Sequence, residues 1–73
     1  MTIWVAKGDS VHFVFEAYGA TRDKALAAYE RLIHAHLKQY PGADATWAQE
    51  MIDDASVAAV EIDAGYRDGE RVV

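Results

Sequence analysis

The chain has 73 residues, enough for a single domain over residues 1–73, and it contains no cysteine, which excludes a disulfide framework and a cysteine-ligated zinc site. Its net charge is −5, and residues 44–73 carry eight of the twelve acidic side chains but only two of the seven basic ones. Binding to a phosphate backbone requires the opposite charge, so we expect no direct contact with nucleic acid.

Two β-strands are predicted first. Residues 11–18 place an apolar side chain at every odd position, and residues 2–7 have a similar β-branched and aromatic composition. Gly8 and Asp9 separate the two segments, and a glycine at the first position of a two-residue loop favours a type II′ hairpin turn. The pattern therefore predicts an antiparallel hairpin.

The length of the hairpin loop decides which residues share a face of the sheet. A two-residue loop places Trp4 opposite Phe13 and groups Ile3, Val5, His12 and Val14 on the other face. A three-residue loop instead groups Ile3 and Val5 with the phenylalanines and leaves Trp4 with Val14. Either register leaves an apolar cluster uncovered, so we expect a homodimer. The candidate self-association residues are Ile3, Trp4, Val5, His12 and Val14.

A long helix is predicted from Arg22. The Thr21 hydroxyl can accept a backbone N–H of the first turn, and the Asp23 carboxylate lies near the positive end of the helix dipole. Apolar residues then recur at steps of three and four up to Tyr40, which makes one stripe about five turns long. Pro41 and the glycine after it end the helix.

A short helix and a third strand are predicted next. Thr46 and Gln49 have the spacing of a capping box, which indicates a helix that ends near residues 54–55. Residues 57–64 alternate as a strand. Its predicted inward side chains are Ala58, Val60, Ile62 and Ala64, and its predicted outward ones are Glu61 and Asp63.

A final turn signal at Asp68-Gly69 suggests a small hairpin within residues 66–73. The element order is ββααβ. We expect an α+β domain in which a three-stranded antiparallel sheet is packed on one face by a long and a short helix.

Catalytic and metal-binding arrangements are not evident. His34 and His36 lie about 200° apart around the helix axis, so they cannot ligate one ion together; we expect His34 to be solvated and His36 to cover the edge of the core. Glu61 and Asp63 lie on one face of the predicted strand, but they lack the third oxygen ligand that a divalent ion needs, so we expect a solvated face. The two serines lie at junctions between elements, where hydroxyls satisfy backbone groups. We therefore predict no enzyme activity, no metal and no cofactor.

Acidic side chains are the most distinctive surface feature of the sequence. They can steer the chain toward a basic groove by long-range attraction. We therefore expect a host protein or complex with a basic surface as the partner. The candidate partner-binding residues are Glu50, Asp53, Asp54, Glu61, Asp63, Asp68 and Glu70.

Residues 15–23, FEAYGATRD, and the tail at residues 65–70, GYRDGE, resemble small uncharacterised accessory proteins of phages and prophages of GC-rich bacteria. The resemblance covers most of the chain and rests on turn and cap residues. It implies a phage accessory protein, and acidic members of that broad class include the anti-CRISPR proteins, which block nucleic-acid-handling complexes. No functional residue carries over, since the chain matches no motif of those inhibitors.

The sequence leads to one functional hypothesis and one main alternative, with a small metal- or ligand-binding protein as a third hypothesis. The first is a non-enzymatic, acidic protein-binding module that inhibits or modulates a host nucleic-acid-handling complex. The alternative is a homodimeric structural domain without an inhibitory role. No apolar run approaches the roughly 18–20 residues that span a bilayer, and residues 1–4 lack the basic start of a signal peptide, so we expect a cytoplasmic location in a bacterial cell.

Overall fold

The computed structural model describes the whole chain, residues 1–73. Three strands form an antiparallel sheet in the order β2-β1-β3, and two short strands form a separate hairpin. The elements are β1 (Thr2–Asp9), β2 (Val14–Gly19), α1 (Arg22–Gln39), α2 (Ala45–Asp53), β3 (Ser56–Glu61), β4 (Tyr66–Arg67) and β5 (Glu70–Arg71). This confirms the predicted α+β architecture, with a three-stranded antiparallel sheet packed by a long and a short helix. Neither helix combines the length and apolarity that crossing a membrane demands.

The register of the first hairpin differs from the prediction. Trp4 pairs with Gly19 instead of Phe13, and Asp9 pairs with Val14, so residues 10–13 form the loop. The predicted two-residue turn is therefore wrong. The partner of Trp4 moves by six residues, and because this shift is even, each side chain that remains in the two strands keeps the face that the two-residue register assigned to it. The three-residue alternative is wrong, since it would exchange the faces.

Gly8 lies inside β1 because the core leaves no room for a side chain there. A Cβ atom at Gly8 would overlap the hydroxyl of Tyr29. The glycine thus permits a close approach between strand and helix and does not form a turn. Ser10 begins the loop instead: its N–H donates to the Phe13 carbonyl at 2.8 Å, and its Oγ accepts from the Phe13 N–H at 3.2 Å.

Helix α1 follows its sequence signals closely. The Lys24 N–H donates to the Thr21 Oγ1 at 3.2 Å, which confirms the predicted N-cap. Ala25, Tyr29 and Ile33 are buried along its inner face. Helical conformation ends at Gln39, before the residue that precedes Pro41, as steric conflict with the proline ring requires.

Helix α2 begins two positions earlier than its capping box predicts, since that box would make Thr46 the N-cap. Asp44 is the N-cap, and its Oδ1 accepts from the Trp47 N–H at 2.8 Å. Thr46 therefore lies in the first turn, and the Gln49 side chain donates to Asp53 at 2.8 Å and not to the helix start. A carboxylate outcompetes a hydroxyl at this position because its charge also interacts favourably with the helix dipole.

The two faces of strand β3 are exchanged relative to the prediction. Ala6 pairs with Val57 and Trp4 with Ala59, so these two β3 residues share the face on which the helices pack. Ala58 and Val60 lie on the other face, where the prediction had placed the acidic side chains. The cause is the pairing with β1, whose even-numbered residues face the helices. Asp63 lies beyond β3 in a left-handed conformation with φ of 70°.

The core lies between the sheet and both helices. The buried core cluster consists of Ala6, Phe15, Ala17, Ala25, Tyr29, Ile33 and Ala48.

The terminal hairpin is confirmed, with β4 and β5 joined through Asp68 and Gly69. Both turn residues have positive φ, 52° and 83°, as a type I′ turn requires.

Candidate interaction surfaces

The end of α2 carries a concentration of negative charge. Glu50, Asp53 and Asp54, which we call the α2 acidic cluster, are all exposed, and the last turn of the helix contains no basic residue. The carbonyl groups at a helix C-terminus already carry partial negative charge, so carboxylates there are unfavourable. Asp9 of β1 adjoins the cluster, since it lines a groove of about 390 Å³ together with Asp54.

The negative charge of Glu61, at the opposite end of β3, is compensated by other groups of the chain. The Thr2 hydroxyl donates to Glu61 Oε1, and the ammonium group of Met1 lies 3.5 Å from Glu61 Oε2. The Thr2 hydrogen bond is the main cause that lowers the pKa of Glu61, and the ammonium charge adds to it against the opposing effect of desolvation. This carboxylate is therefore less available to a partner than the α2 acidic cluster.

The seven predicted acidic residues do not form one surface. The α2 acidic cluster precedes β3 and Glu61 ends it, and a strand of this length separates the two by about 17 Å at roughly 3.4 Å per residue. Asp63 follows Glu61 in a turn. Asp68 and Glu70 belong to the terminal hairpin, where Asp68 lines a groove beside Lys7.

The five predicted self-association residues are also separated. Trp4 lies on the helix side of the sheet and packs against the core. His12 lies in the exposed loop between β1 and β2, and not on the sheet. Only Ile3, Val5 and Val14 share the face away from the helices, which we call the second sheet face; Val5 is buried there, Ile3 is half-buried and Val14 is 70% exposed.

The second sheet face forms a groove of about 700 Å³ with the terminal hairpin. Val5, Ala58 and Val60 contribute apolar surface to it, but Lys7 also lines it. Tyr66 joins the hairpin to the sheet, since its hydroxyl accepts a hydrogen bond from the Glu61 N–H at 2.8 Å. The face is therefore partly covered and of mixed polarity.

An aromatic cluster at one end of the molecule was not predicted as a unit. His36 stacks on Tyr40 with ring centroids 4.5 Å apart and meets Phe13 edge-on at 4.8 Å. Phe15 and Trp47 complete the cluster on its inner side. The four-residue spacing of His36, in α1, and Tyr40, its C-cap, was the available signal. His36 is half-buried, as expected of a residue at the edge of the core.

The histidines do not converge. His34 is exposed and lies 3.9 Å from the Glu30 carboxylate, on a different side of α1 from His36. Nowhere in the chain do three histidine, cysteine or acidic side chains come together in a way that could hold a metal ion.

One buried side-chain polar atom has no hydrogen-bond partner. The Tyr29 hydroxyl is buried beneath Gly8 and makes no hydrogen bond. Burial raises the pKa of Tyr29, and the negative charge of Asp9 adds to the increase. The missing hydrogen bond of this buried hydroxyl lowers the stability of the fold.

Comparison of the chain with protein-family models, with curated proteins and with solved structures finds no match.

Proposed function

We propose that the chain is a non-enzymatic protein-binding module that docks its α2 acidic cluster onto a basic surface of a host protein or complex in the bacterial cytoplasm. The resemblance to phage accessory proteins suggests the more specific role of an inhibitor or modulator of a host nucleic-acid-handling complex. In that role the carboxylates would occupy a groove that otherwise binds phosphates.

The observation that carries this proposal is the unfavourable position of the α2 acidic cluster. Glu50, Asp53 and Asp54 lie at the negative end of a helix dipole, and none of them forms an ion pair. Surface charges placed only for solubility would be less costly elsewhere. Residues that violate a local stability rule in this way often serve a function.

The cluster also meets the requirements of electrostatic steering. Its side chains are exposed, and Asp9 extends the negative surface across the adjoining strand. The nearest basic residue in the same groove is Lys7, which makes no ion pair with either aspartate. Such a surface raises the rate of association with a basic partner by about tenfold or more at low salt.

A pair of charge-reversal variants tests this proposal. The first carries Glu50→Lys, Asp53→Lys and Asp54→Lys, and the matched control carries Asp63→Lys, Asp68→Lys and Glu70→Lys, with the same change in net charge. We expect the first variant to lose a partner that the wild-type chain captures from host lysate, and the control to keep it. Added DNA or RNA should compete for the same partner.

The rate of association with the partner is a stricter test than capture from lysate. With the purified partner, the first variant should associate at least about tenfold more slowly at low salt, with a smaller difference near 0.5 M salt, where the screening length is about 4 Å. If both variants keep the wild-type association rate and salt dependence, the acidic residues serve solubility alone.

A second candidate function is a homodimeric interaction domain without an inhibitory role. The observation that favours it is the position of β3 at one edge of the sheet, where no further strand or helix pairs with its backbone. The second sheet face supports it less well, because only three of the predicted self-association residues lie there.

A further inference from the structure

The outer edge of β3 has a defined set of free backbone groups. Ile62 donates its N–H to the Met1 carbonyl at 2.9 Å, at the end of the ladder between β1 and β3. Bonding in an antiparallel ladder alternates along each strand, so residues 56, 58 and 60 also bond to β1. Val57, Ala59 and Glu61 therefore direct their N–H and carbonyl groups away from the sheet.

Tyr66 occupies one of these outward positions. Its hydroxyl accepts from the Glu61 N–H, which leaves Val57 and Ala59 as two adjacent outward residues. No backbone hydrogen bond outside the sheet involves either of them. The sequence features that commonly protect an edge are absent here: residues 56–60 contain no charge and no proline, and the register with β1 continues without a bulge.

The other edge of the sheet, β2, differs in this respect. Ser10 bonds to Phe13 across the loop, so the outward residues of β2 are Val14, Glu16 and Tyr18. Glu16 lies in the middle of that edge. Pairing of two β2 strands about Glu16 would place two carboxylates directly opposite each other, which is destabilising. The uncharged edge of β3 is therefore better suited than that of β2 to pair with a copy of itself.

We propose that a second copy of this chain docks on β3, edge to edge and antiparallel, so that two three-stranded sheets become one sheet of six strands. Val57 pairs with the partner's Ala59, and Ala59 pairs with the partner's Val57. Each pair exchanges two N–H···O bonds, so all the outward groups of these residues are satisfied. The inference does not depend on the function proposed for the α2 acidic cluster.

The twofold symmetry of such a pair fixes the position of Ala58. It lies on the symmetry axis, opposite the partner's Ala58, in a position without hydrogen bonds, where Cα atoms are about 4.5 Å apart. Ala58 is exposed on the second sheet face, and its small side chain permits this approach. The second sheet faces of the two copies then form one surface.

Disulfide trapping tests this register. The chain has no cysteine, so Ala58→Cys introduces a single thiol, and a Cα separation of about 4.5 Å lies within the range that a disulfide spans. Ser56→Cys is the matched control: it lies on the same strand and the same face, but the proposed register separates the two copies of residue 56 by about 13 Å or more. Under mild oxidation we expect at least about tenfold more covalent dimer from Ala58→Cys.

Two further variants test the non-covalent dimer in sedimentation experiments. Ala59→Pro removes an outward N–H but no bond to β1, so we expect a folded monomer, with circular dichroism as the check on folding. Val14→Glu lies on the second sheet face and should leave the dimer intact.

Three results would overturn the proposal. Ala58→Cys could remain monomeric under oxidation, or Ser56→Cys could form covalent dimer equally well. In the third case the Val14→Glu variant is monomeric and the Ala59→Pro variant remains dimeric, which would assign the interface to the second sheet face. The trapping experiment decides the question even if Ala59→Pro fails to fold.

Discussion

The buried hydroxyl of Tyr29 is the clearest case in which a single atom opposes the stability of the fold. Its ring fills the centre of the core, while its oxygen lies under Gly8 without a hydrogen-bond partner. An unsatisfied buried hydroxyl costs about 1–3 kcal/mol, whereas the ring itself contributes apolar contacts. The glycine in β1 is the residue that accommodates this oxygen.

Tyr29→Phe should therefore stabilise the protein. The substitution keeps the ring and removes the unsatisfied oxygen, so we expect the free energy of unfolding in urea to rise by about 1 kcal/mol. Tyr18→Phe is the control, since its exposed hydroxyl donates to the Glu16 carboxylate at 2.6 Å and should matter little. A loss of stability in Tyr29→Phe would contradict the absence of a partner for the hydroxyl.

Glu61 makes stability depend on pH in the acid range. Its pKa is lowered in the folded state, chiefly by the Thr2 hydrogen bond, so the folded chain favours the ionised carboxylate. This contribution is fully present above the ordinary value of 4.5 and is lost as the pH falls through the lower folded value.

Glu61→Gln should remove that part of the acid sensitivity. We expect the difference in urea midpoint between pH 7 and pH 3 to be smaller in Glu61→Gln than in the wild type, because the variant has no carboxylate to protonate at this position. Glu70→Gln, at an exposed position in β5, should keep the wild-type difference. Equal differences in all three proteins would show that the contact with Thr2 does not persist in solution.

At the scale of elements, α2 shows how two overlapping cap signals are resolved. Asp44 and Thr46 are both good N-cap residues, and the second has a glutamine three positions later. The structure selects Asp44, which adds Ala45 and Thr46 to the helix and places Ala48 in the core, where it is buried. With Asp44 as the N-cap, the first turn of α2 also places Trp47 against His36.

Substitution of each candidate cap distinguishes the two signals. Asp44→Ala should lower the free energy of unfolding by about 1 kcal/mol, because the Trp47 N–H loses its acceptor. Thr46→Ala should leave it unchanged or raise it by a few tenths of a kcal/mol, since alanine has the higher helix propensity within a first turn. The reverse order in urea unfolding would assign the cap to Thr46.

At the scale of the whole molecule, the two proposed interactions respond to salt in opposite ways. Docking of the α2 acidic cluster on a basic partner is an attraction between unlike charges, which salt weakens. Pairing of two β3 strands brings the start of one strand beside the end of the other, so that Asp54 approaches the partner's Glu61. Salt screens this repulsion and should favour the dimer.

Sedimentation and binding measurements at several salt concentrations test this difference. Between 0.05 and 0.5 M salt, at roughly 14 and 4 Å screening length, we expect self-association to strengthen while binding to the basic partner weakens. If both interactions weaken together, the dimer interface is itself formed by opposite charges, contrary to the uncharged edge of β3.

Local signals in the sequence determined the elements of this fold. Thr21 marked the start of α1, Pro41 its end, and Asp68-Gly69 the terminal turn, because each acts through its own backbone conformation or its nearest neighbours. Alternation also assigned Trp4 and Phe15 to one face of the first hairpin, under the two-residue register. None of these outcomes required knowledge of distant residues.

Tertiary contacts decided the register, the orientation of β3 and the composition of the surfaces. Gly8 is needed where Tyr29, 21 positions later, approaches β1, and no local pattern reveals that contact. The face of β3 is set by pairing with β1, since alanine and valine occupy both of its sides. The same pairing separates Glu61 from the α2 acidic cluster and leaves Val57 and Ala59 on a free edge, because charge and hydrogen-bonding groups combine into surfaces only after the strands are placed.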